Sequence, residues 1–290
     1  MKNGMNKLKT KAIFWLLLIV SVSFSSCAQE ETKSTNKTKD NSEIKVNKEM
    51  NMENKMKIEI WSDVMCPFCY IGKRNLEKAL TQFSDREHIE VIWKSYLLDP
   101  NTPETSDKSY AQHLVEYKGM SEQQVDGMLA QLTQTAKQAG LDYDFDKAQL
   151  VSSKKAHQVI QMAKTKGLGN QAEEVMFKAF FTEGKNIADK SSLISIGEEI
   201  GLSKDEVETA LSDNKYAEMM NADIAEARQI GVQGVPFFVF NRKYAVSGAQ
   251  PPKAFLESLE KAFGEWREDN PAVKLDITQG QSCKPDGTCD

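Results

Sequence analysis

Residues 58–74 read IEIWSDVMCPFCYIGKR: an apolar run of strand character, two cysteines spaced C-x-x-C, and the opening of a helix. The spacing puts Cys66 at the first helical turn, where unpaired amide N–H groups and the positive end of the helix dipole favour a thiolate over a thiol. Pro67 suits the first helical position, because its missing N–H costs nothing there. Cys69 follows one turn later, near enough to close a small disulfide ring. Thiolates in such settings have pKa values of roughly 3.5 to 7.5, against about 8.5 for a free cysteine. Cys66 is therefore the expected attacking sulfur, exposed at the helix end, and Cys69 the sheltered one that resolves a mixed disulfide. Two other readings fit the same spacing. Zinc knuckles share it, and Cys283 with Cys289 could complete a four-thiolate site. Against zinc, the second pair is C-x₅-C, lies far away in the chain, and His88, His113 and His157 show no ligand spacing. A purely structural disulfide is the other alternative, although so small a loop constrains an unfolded chain little.

Upstream, MKNGMNKLKTK carries four lysines and no acid, and AIFWLLLIVSVSF then runs apolar as far as FSSC at Phe24 to Cys27. This is a signal-peptide pattern whose apolar core is too short to span a bilayer by itself. Small residues just before Cys27 resemble a bacterial lipobox, in which cleavage frees that cysteine to receive lipid; Phe24 is an atypical residue at its position. An ordinary secreted protein and an uncleaved membrane anchor are the alternatives, and each puts the remaining chain outside the cytoplasm. Residues 1–26 are the expected leader. Residues 27–55, almost free of large apolar side chains, are the expected disordered polar tether. Removing the leader takes away four lysines and moves the formal net charge from −5 to −9, and an acidic body argues against nucleic acid as a partner. With Cys27 lipidated, four of the five cysteines remain, in two close pairs and an oxidising compartment.

Downstream, the 290 residues suffice for one large domain or two modest ones. MKIEIWSD alternates as a strand, with Ile58 and Ile60 on one face. Leu76, Ala79, Leu80 and Phe83 then recur at helical spacing, and HIEVIWKSYLL from His88 supplies a second strand. From about 107 to 230 the pattern is helical almost throughout. Capping-box signals at Ser121 to Gln124 and Ser203 to Glu206 mark two helix starts, and Ala172, Val175, Met176, Ala179 and Phe180 form a core stripe. Strands return at VPFFVFN and KYAVSG, joined by a tight turn at Asn241-Arg242, and PPKAFLESLEKAF follows as a helix opened by proline. The Gly-Val-Pro before the first of these strands suits a cis proline in a tight turn or an ordinary trans proline at a strand start.

Asp63, the CPFC motif, Gly72 and Leu76, then AHQVIQMAKTKG, then GVQGVPFFVFNRKYAVSGAQ resemble the DsbA-like thioredoxin-fold oxidoreductases. Within them the chain is most similar to the FrnE branch, near the 2-hydroxychromene-2-carboxylate isomerases and kappa-class glutathione transferases. The resemblance covers roughly Lys57 to Phe263. It implies an α/β thioredoxin fold in residues 56–264, with a large all-helical insertion at about 107–230 between the βαβ and ββα halves, and a tail from 265 to 290. It implies a cis bond at Pro236, beside the reactive sulfur, with Val235 offering backbone groups to an extended substrate peptide, Pro67 and Phe68 flanking it, Cys66 attacking and Cys69 resolving. The isomerase and transferase relatives typically carry serine where Cys66 stands, which favours a dithiol enzyme. The best-known DsbA proteins have a histidine where this chain has Phe68, a side chain that offers the thiolate neither charge nor hydrogen bond.

The expected activity is thiol–disulfide exchange on protein thiols and disulfides in the cell envelope, with a redox partner protein, a lipid anchor on Cys27, and no metal or dissociable cofactor. Oxidase, reductase and isomerase differ by potential and partner rather than by motif. A glutathione-dependent isomerase or transferase and a non-catalytic, chaperone-like binding module are the alternatives. Cys283 and Cys289 enclose KPDGT, whose Asp286-Gly287 is a ready turn. They are either a second redox pair, as some FrnE-type relatives carry, or a passive local disulfide.

Overall fold

The computed structural model describes residues 54–272. The leader and tether with Cys27, and the tail with Cys283 and Cys289, lie outside the described residues.

Strand β1 (Met56–Ser62) sits at the centre of a four-stranded sheet of order β2-β1-β3-β4. It pairs in parallel with β2 (Ile89–Ser95), Ile58 opposite Val91 and Ser62 opposite Ser95. On its other side it runs antiparallel to β3 (Phe237–Phe240), with Ile58 opposite Phe240 and Trp61 opposite Phe237. The short β4 (Tyr244–Ser247) closes the edge. Helix α1 (Pro67–Gln82) makes the crossover between β1 and β2. Asn241 and Arg242 both have positive φ, 49° and 55°, as the tight turn between β3 and β4 requires.

The insertion between β2 and β3 contains α2 (Tyr110–Lys118), α3 (Glu122–Ala139), α4 (Lys154–Thr165), α5 (Gly169–Phe181), α6 (Lys190–Ile200), α7 (Lys204–Ser212) and α8 (Asn214–Gln229). Both expected capping boxes form, and a third, Ser109 with Gln112, opens α2. The chain thus has the expected α/β thioredoxin architecture with a helical insertion. One stretch of that insertion departs from the helical expectation. Residues 140–153 form no helix; Leu141, Tyr143, Phe145, Ala148 and Leu150 instead pin an irregular segment into the core by their side chains. The expected stripe on α5 is wider than its periodicity suggested, since Phe177 and Phe181 are also buried.

The strand reading of β1 holds, with Ile58 and Ile60 on one face, and the strand is covered on both sides. A sheet covered on one side alone would leave alternate residues in water, yet only Lys57 of this strand is exposed. Ile58 and Ile60 pack with Leu76, Ala79, Phe238 and Phe255 under α1 and α9 (Pro252–Asp269). On the opposite face Trp61 packs with Ala227 of α8, Val232 and Val239. Glu59 shares that covered face and is satisfied by ion pairs with Arg242 and Lys94. Helix α9 likewise continues to Asp269, past the expected boundary at 264, because Trp266 is still buried against the sheet layer.

Candidate active site

Strand β1 ends at Ser62, and the next three residues turn the chain into α1. The Cys66 N–H donates to the Asp63 carbonyl at 2.9 Å. The Asp63 carboxylate accepts from the Met65 N–H at 3.2 Å and from the Leu98 N–H at 2.8 Å, tying the turn to the segment after β2. Cys66 is thereby set at the N-cap with extended backbone, and Pro67 occupies the start of the helix. No acidic side chain lies in the first turn, so the positive helix end is left to the sulfur.

Both cysteines are free thiols. The Cys66 thiol donates to the Val235 carbonyl at a sulfur–oxygen distance of 3.5 Å. The Val235–Pro236 peptide is cis. Gly72, one turn beyond Cys69, lets this loop approach the helix: a Cβ there would stand 3.0 Å from Pro236 Cγ and 3.1 Å from Phe238 Cζ. Cys66, Cys69, Pro67, Phe68, Val235 and Pro236 therefore lie around one end of α1.

Cys66 is only 4% exposed, where the sequence suggested an open sulfur at a helix end. The reason is tertiary. Helices α2 and α3 and the Val235 loop stand over the motif and leave a cleft of about 410 Å³ as the approach to the sulfur. Its walls are mainly apolar, with Leu98, Leu114, Tyr117 and Leu129 among them, and Phe68, half exposed at 50%, lies at its edge. Cys69 is fully buried. Burial is the main cause that pushes its thiol well above the ordinary range, and the neighbouring Cys66 adds to the shift, while the Asp63 backbone and the Ser62 side chain act the other way.

Sequence reasoning missed several residues that build this site. Tyr143, from the irregular segment, donates its hydroxyl to the Pro67 carbonyl at 2.7 Å and so holds the start of α1. Tyr110 lines the cleft. Burial raises both phenols, with Cys66 the next cause. His157 lies with its Nε2 3.5 Å from Asp63 Oδ1. The AHQVIQMAKTKG stretch that carries His157 is a helical segment in sequence, and nothing in its spacing points at the motif ninety residues earlier.

Residues 57–260 match the model of the DSBA-like thioredoxin domain family. Among solved structures, a probable DsbA oxidoreductase from Streptomyces coelicolor is 34% identical, covering 81% of this chain and 98% of its own, with a TM-score of 0.69. A 2-hydroxychromene-2-carboxylate isomerase structure, 17% identical over 74% of this chain and 98% of its own, shares the fold with a TM-score of 0.52. The uncharacterized protein YwbO of Bacillus subtilis is 26% identical over 204 residues, 70% of this chain and 94% of its own.

Proposed function

The chain belongs to the DSBA-like thioredoxin domain family, and from that premise we propose that it catalyses thiol–disulfide exchange on protein substrates, Cys66 attacking and Cys69 resolving. The observation that carries this reading is the setting of Cys66: at the N-cap of α1, in contact with the Val235 carbonyl, at the base of the apolar cleft. In the reducing direction the Cys66 thiolate attacks one sulfur of a substrate disulfide, and the other leaves as a thiolate. Cys69, deprotonated, then attacks Cys66 in the mixed disulfide. The Cys66–Cys69 bond forms, and the second substrate sulfur departs with its electron pair. Oxidation of a substrate dithiol is the same sequence reversed.

The cleft favours extended segments with apolar side chains next to their cysteine, seated between Phe68 and the α2 wall and aligned by Val235. The name of the Streptomyces coelicolor relative, a probable DsbA oxidoreductase, supports the same chemistry. The protein is further proposed to act in the cell envelope, held by lipid on Cys27, with Cys283 and Cys289 exchanging electrons with the motif pair and a redox partner protein resetting it.

Turnover in insulin reduction tests the proposal. Cys66→Ser is expected to lower the rate by about a hundredfold or more, and Cys69→Ser to accumulate a mixed disulfide on Cys66. Activity on a glutathione-bound small molecule that survives Cys66→Ser would instead favour the isomerase or transferase reading. Client binding without turnover, indifferent to both thiols, would favour a binding module.

A further inference from the structure

Residues 273–278, which lie outside the described residues, read VKLDIT. Val273, Leu275 and Ile277 alternate with Lys274, Asp276 and Thr278, between Asn270-Pro271 and Gly280. A period of two, bounded by turn residues, is the pattern of a strand that buries one face. Such a strand needs an edge to pair with, and the sheet offers two, the outer sides of β2 and β4.

The outer side of β2 is open to pairing. The Tyr96 N–H turns inward to the Ser62 carbonyl at 2.9 Å, whereas the Ser95 N–H turns outward to the Asp223 carboxylate at 3.0 Å. Backbone groups alternate between the two sides of a strand, so Val91 and Trp93 face outward with Ser95. Neither has a backbone hydrogen bond on that side among the described residues. A row of unpaired N–H and C=O groups is a template for another strand. Asn170 of α5 accepts from the Trp93 indole at 3.1 Å and closes the edge above, which leaves residues 89–93 as the seat. Val91 and Leu80 are half-buried at the margin of the core layer under α1 and α9, and Glu90 is exposed.

The chain leaves α9 beside this seat. Phe263 meets Phe83 edge-on with centroids 5.0 Å apart, Arg267 pairs with Asp85 at 3.3 Å, and Asn270 bonds to Asn54 just ahead of β1. From β1 the outer side of β2 is two strand spacings away, about 10 Å, and that of β4 is three, about 14 Å. The three links from Asn270 to Val273 span about 10–11 Å when fully extended, which reaches β2 and falls short of β4. Handedness selects the same edge. A crossover between parallel strands is right-handed in about 98% of cases, and β1, α1 and β2 make one such unit. Helix α9 lies on the same face as α1 and follows β4, which runs parallel to β1. The same hand then carries the chain from β4 back over the sheet towards β2, not outward past β4.

We infer that residues 273–277 add to the outer edge of β2 as a fifth strand, parallel to it, with Val273 beside Ile89 and Ile277 beside Trp93. In this register Leu275 comes beside Val91 and extends the core layer at Leu80, while Lys274 comes beside Glu90, opposite charges at an exposed position. A slip of one residue would turn Leu275 to the face of Glu90 and lose both matches. The added strand rises with β2 towards Leu98, which lines the cleft. It thereby sets Cys283, six residues after Ile277, on the cleft side of the sheet. That consequence rests on the exchange reading above; the seat itself does not.

The test uses the full chain in dilute solution with its five cysteines replaced by serine. Into this parent, Leu275→Cys with Val91→Cys should close an intrachain disulfide on mild oxidation, because neighbouring strands hold Cα atoms about 5 Å apart, within the range a disulfide accepts. Leu275→Cys with Ala245→Cys, on the β4 edge, should give at least about tenfold less. In the parent, amide exchange of residues 273–278 should be at least about tenfold slower than in the same segment as a free peptide. Leu275→Asp with Ile277→Asp should abolish that protection, and so should Val91→Pro, which removes the outward N–H and leaves the ladder to β1 whole. Should Val91→Pro fail to fold by circular dichroism, the tail substitutions decide alone, since they touch none of the described residues' own packing. Equal disulfide yields from the two pairs, or a segment that exchanges as fast as the free peptide, would overturn the seat and leave the exchange reading intact. Links between chains, or protection that grows with protein concentration, would assign the edge to a second copy and overturn it as well. Insulin turnover by the chain with its native cysteines decides the exchange reading separately.

Discussion

Gly72 shows how one missing Cβ positions a reactive sulfur. The residue lies inside α1, where alanine would be intrinsically favoured by about 1 kcal/mol. Against that gain stands overpacking on the stiff ring of Pro236 and on the buried Phe238, which costs about 1–3 kcal/mol. Gly72→Ala should therefore change stability only modestly, a loss of about 0–2 kcal/mol by urea denaturation. Its larger effect is on the Pro236 loop, because the loop, carrying Val235, must shift by a few tenths of an ångström away from α1. We expect a fall of about tenfold in kcat/KM for insulin reduction, partly restored by Phe238→Leu, which makes room on one of the two contacts. Unchanged turnover in Gly72→Ala would show that the Val235 carbonyl does not guide the substrate. The need for glycine was visible in the sequence only as part of a motif. Its partners lie more than 160 residues away, so no local spacing could state the reason for it.

Between elements, the joint that holds the insertion to the thioredoxin half is a cluster of charges on α1 and α5. Glu174 accepts from Tyr70 Oη at 2.6 Å, from Lys73 Nζ at 2.7 Å and from Arg74 Nη1 at 2.8 Å, and Arg74 Nη2 also pairs with it. The Tyr70 ring stacks on Phe177 of α5, with centroids 4.9 Å apart. Glu173 and Glu174 are neighbours in sequence with opposite fates. Burial lifts the first to about 7, whereas hydrogen bonds from Arg74, Lys73 and Tyr70 outweigh burial and bring the second down to about 2. A depressed carboxyl stabilises the fold above its unfolded pKa and loses that contribution as pH falls through its folded one. Glu174→Gln should accordingly cost about 2 kcal/mol at neutral pH, the side chain being 30% exposed, and the gap between variant and parent should close as pH drops from 4.5 towards 2. Urea midpoints at pH 7 and near pH 3 measure it. An equal gap at both would mean that packing, not charge, joins the halves.

The order of elements and several helix starts were legible, because strand alternation, capping boxes and apolar stripes are local. The irregular segment at 140–153 was not, since its buried residues follow the shape of the core rather than a period of the chain. The burial of Cys66 was hidden for a related reason: the insertion that covers it belongs to another part of the sequence. Likewise, the CPFC spacing announced a dithiol, but nothing in it announced Asp63 facing His157, a neighbourhood created by folding α4 against the turn.

Across the whole molecule, the motif and the visible chain ends lie at opposite ends of β1. Asn54 and Asn270 are hydrogen-bonded to each other at the start of that strand, while Cys66 follows its end. Seven residues of strand separate the two by about 20 Å. For Cys283 to serve Cys66 within one chain, the eleven peptide links from Ala272 must cover that distance, and fully extended they span about 36–40 Å. The reach suffices, with little to spare once the path bends around α9. Deleting residues 275–280 leaves about 17 Å, too short to arrive. In a Cys69→Ser background, where Cys66 has no neighbour to close with, the full tail should form an intrachain disulfide with Cys66, identified by peptide mapping in dilute solution. The shortened tail should lose that product at least about tenfold and give only links between chains. An intrachain link that survives the deletion would contradict the reach argument, and a full-length chain that never forms it would leave the tail pair as a local disulfide with no part in turnover.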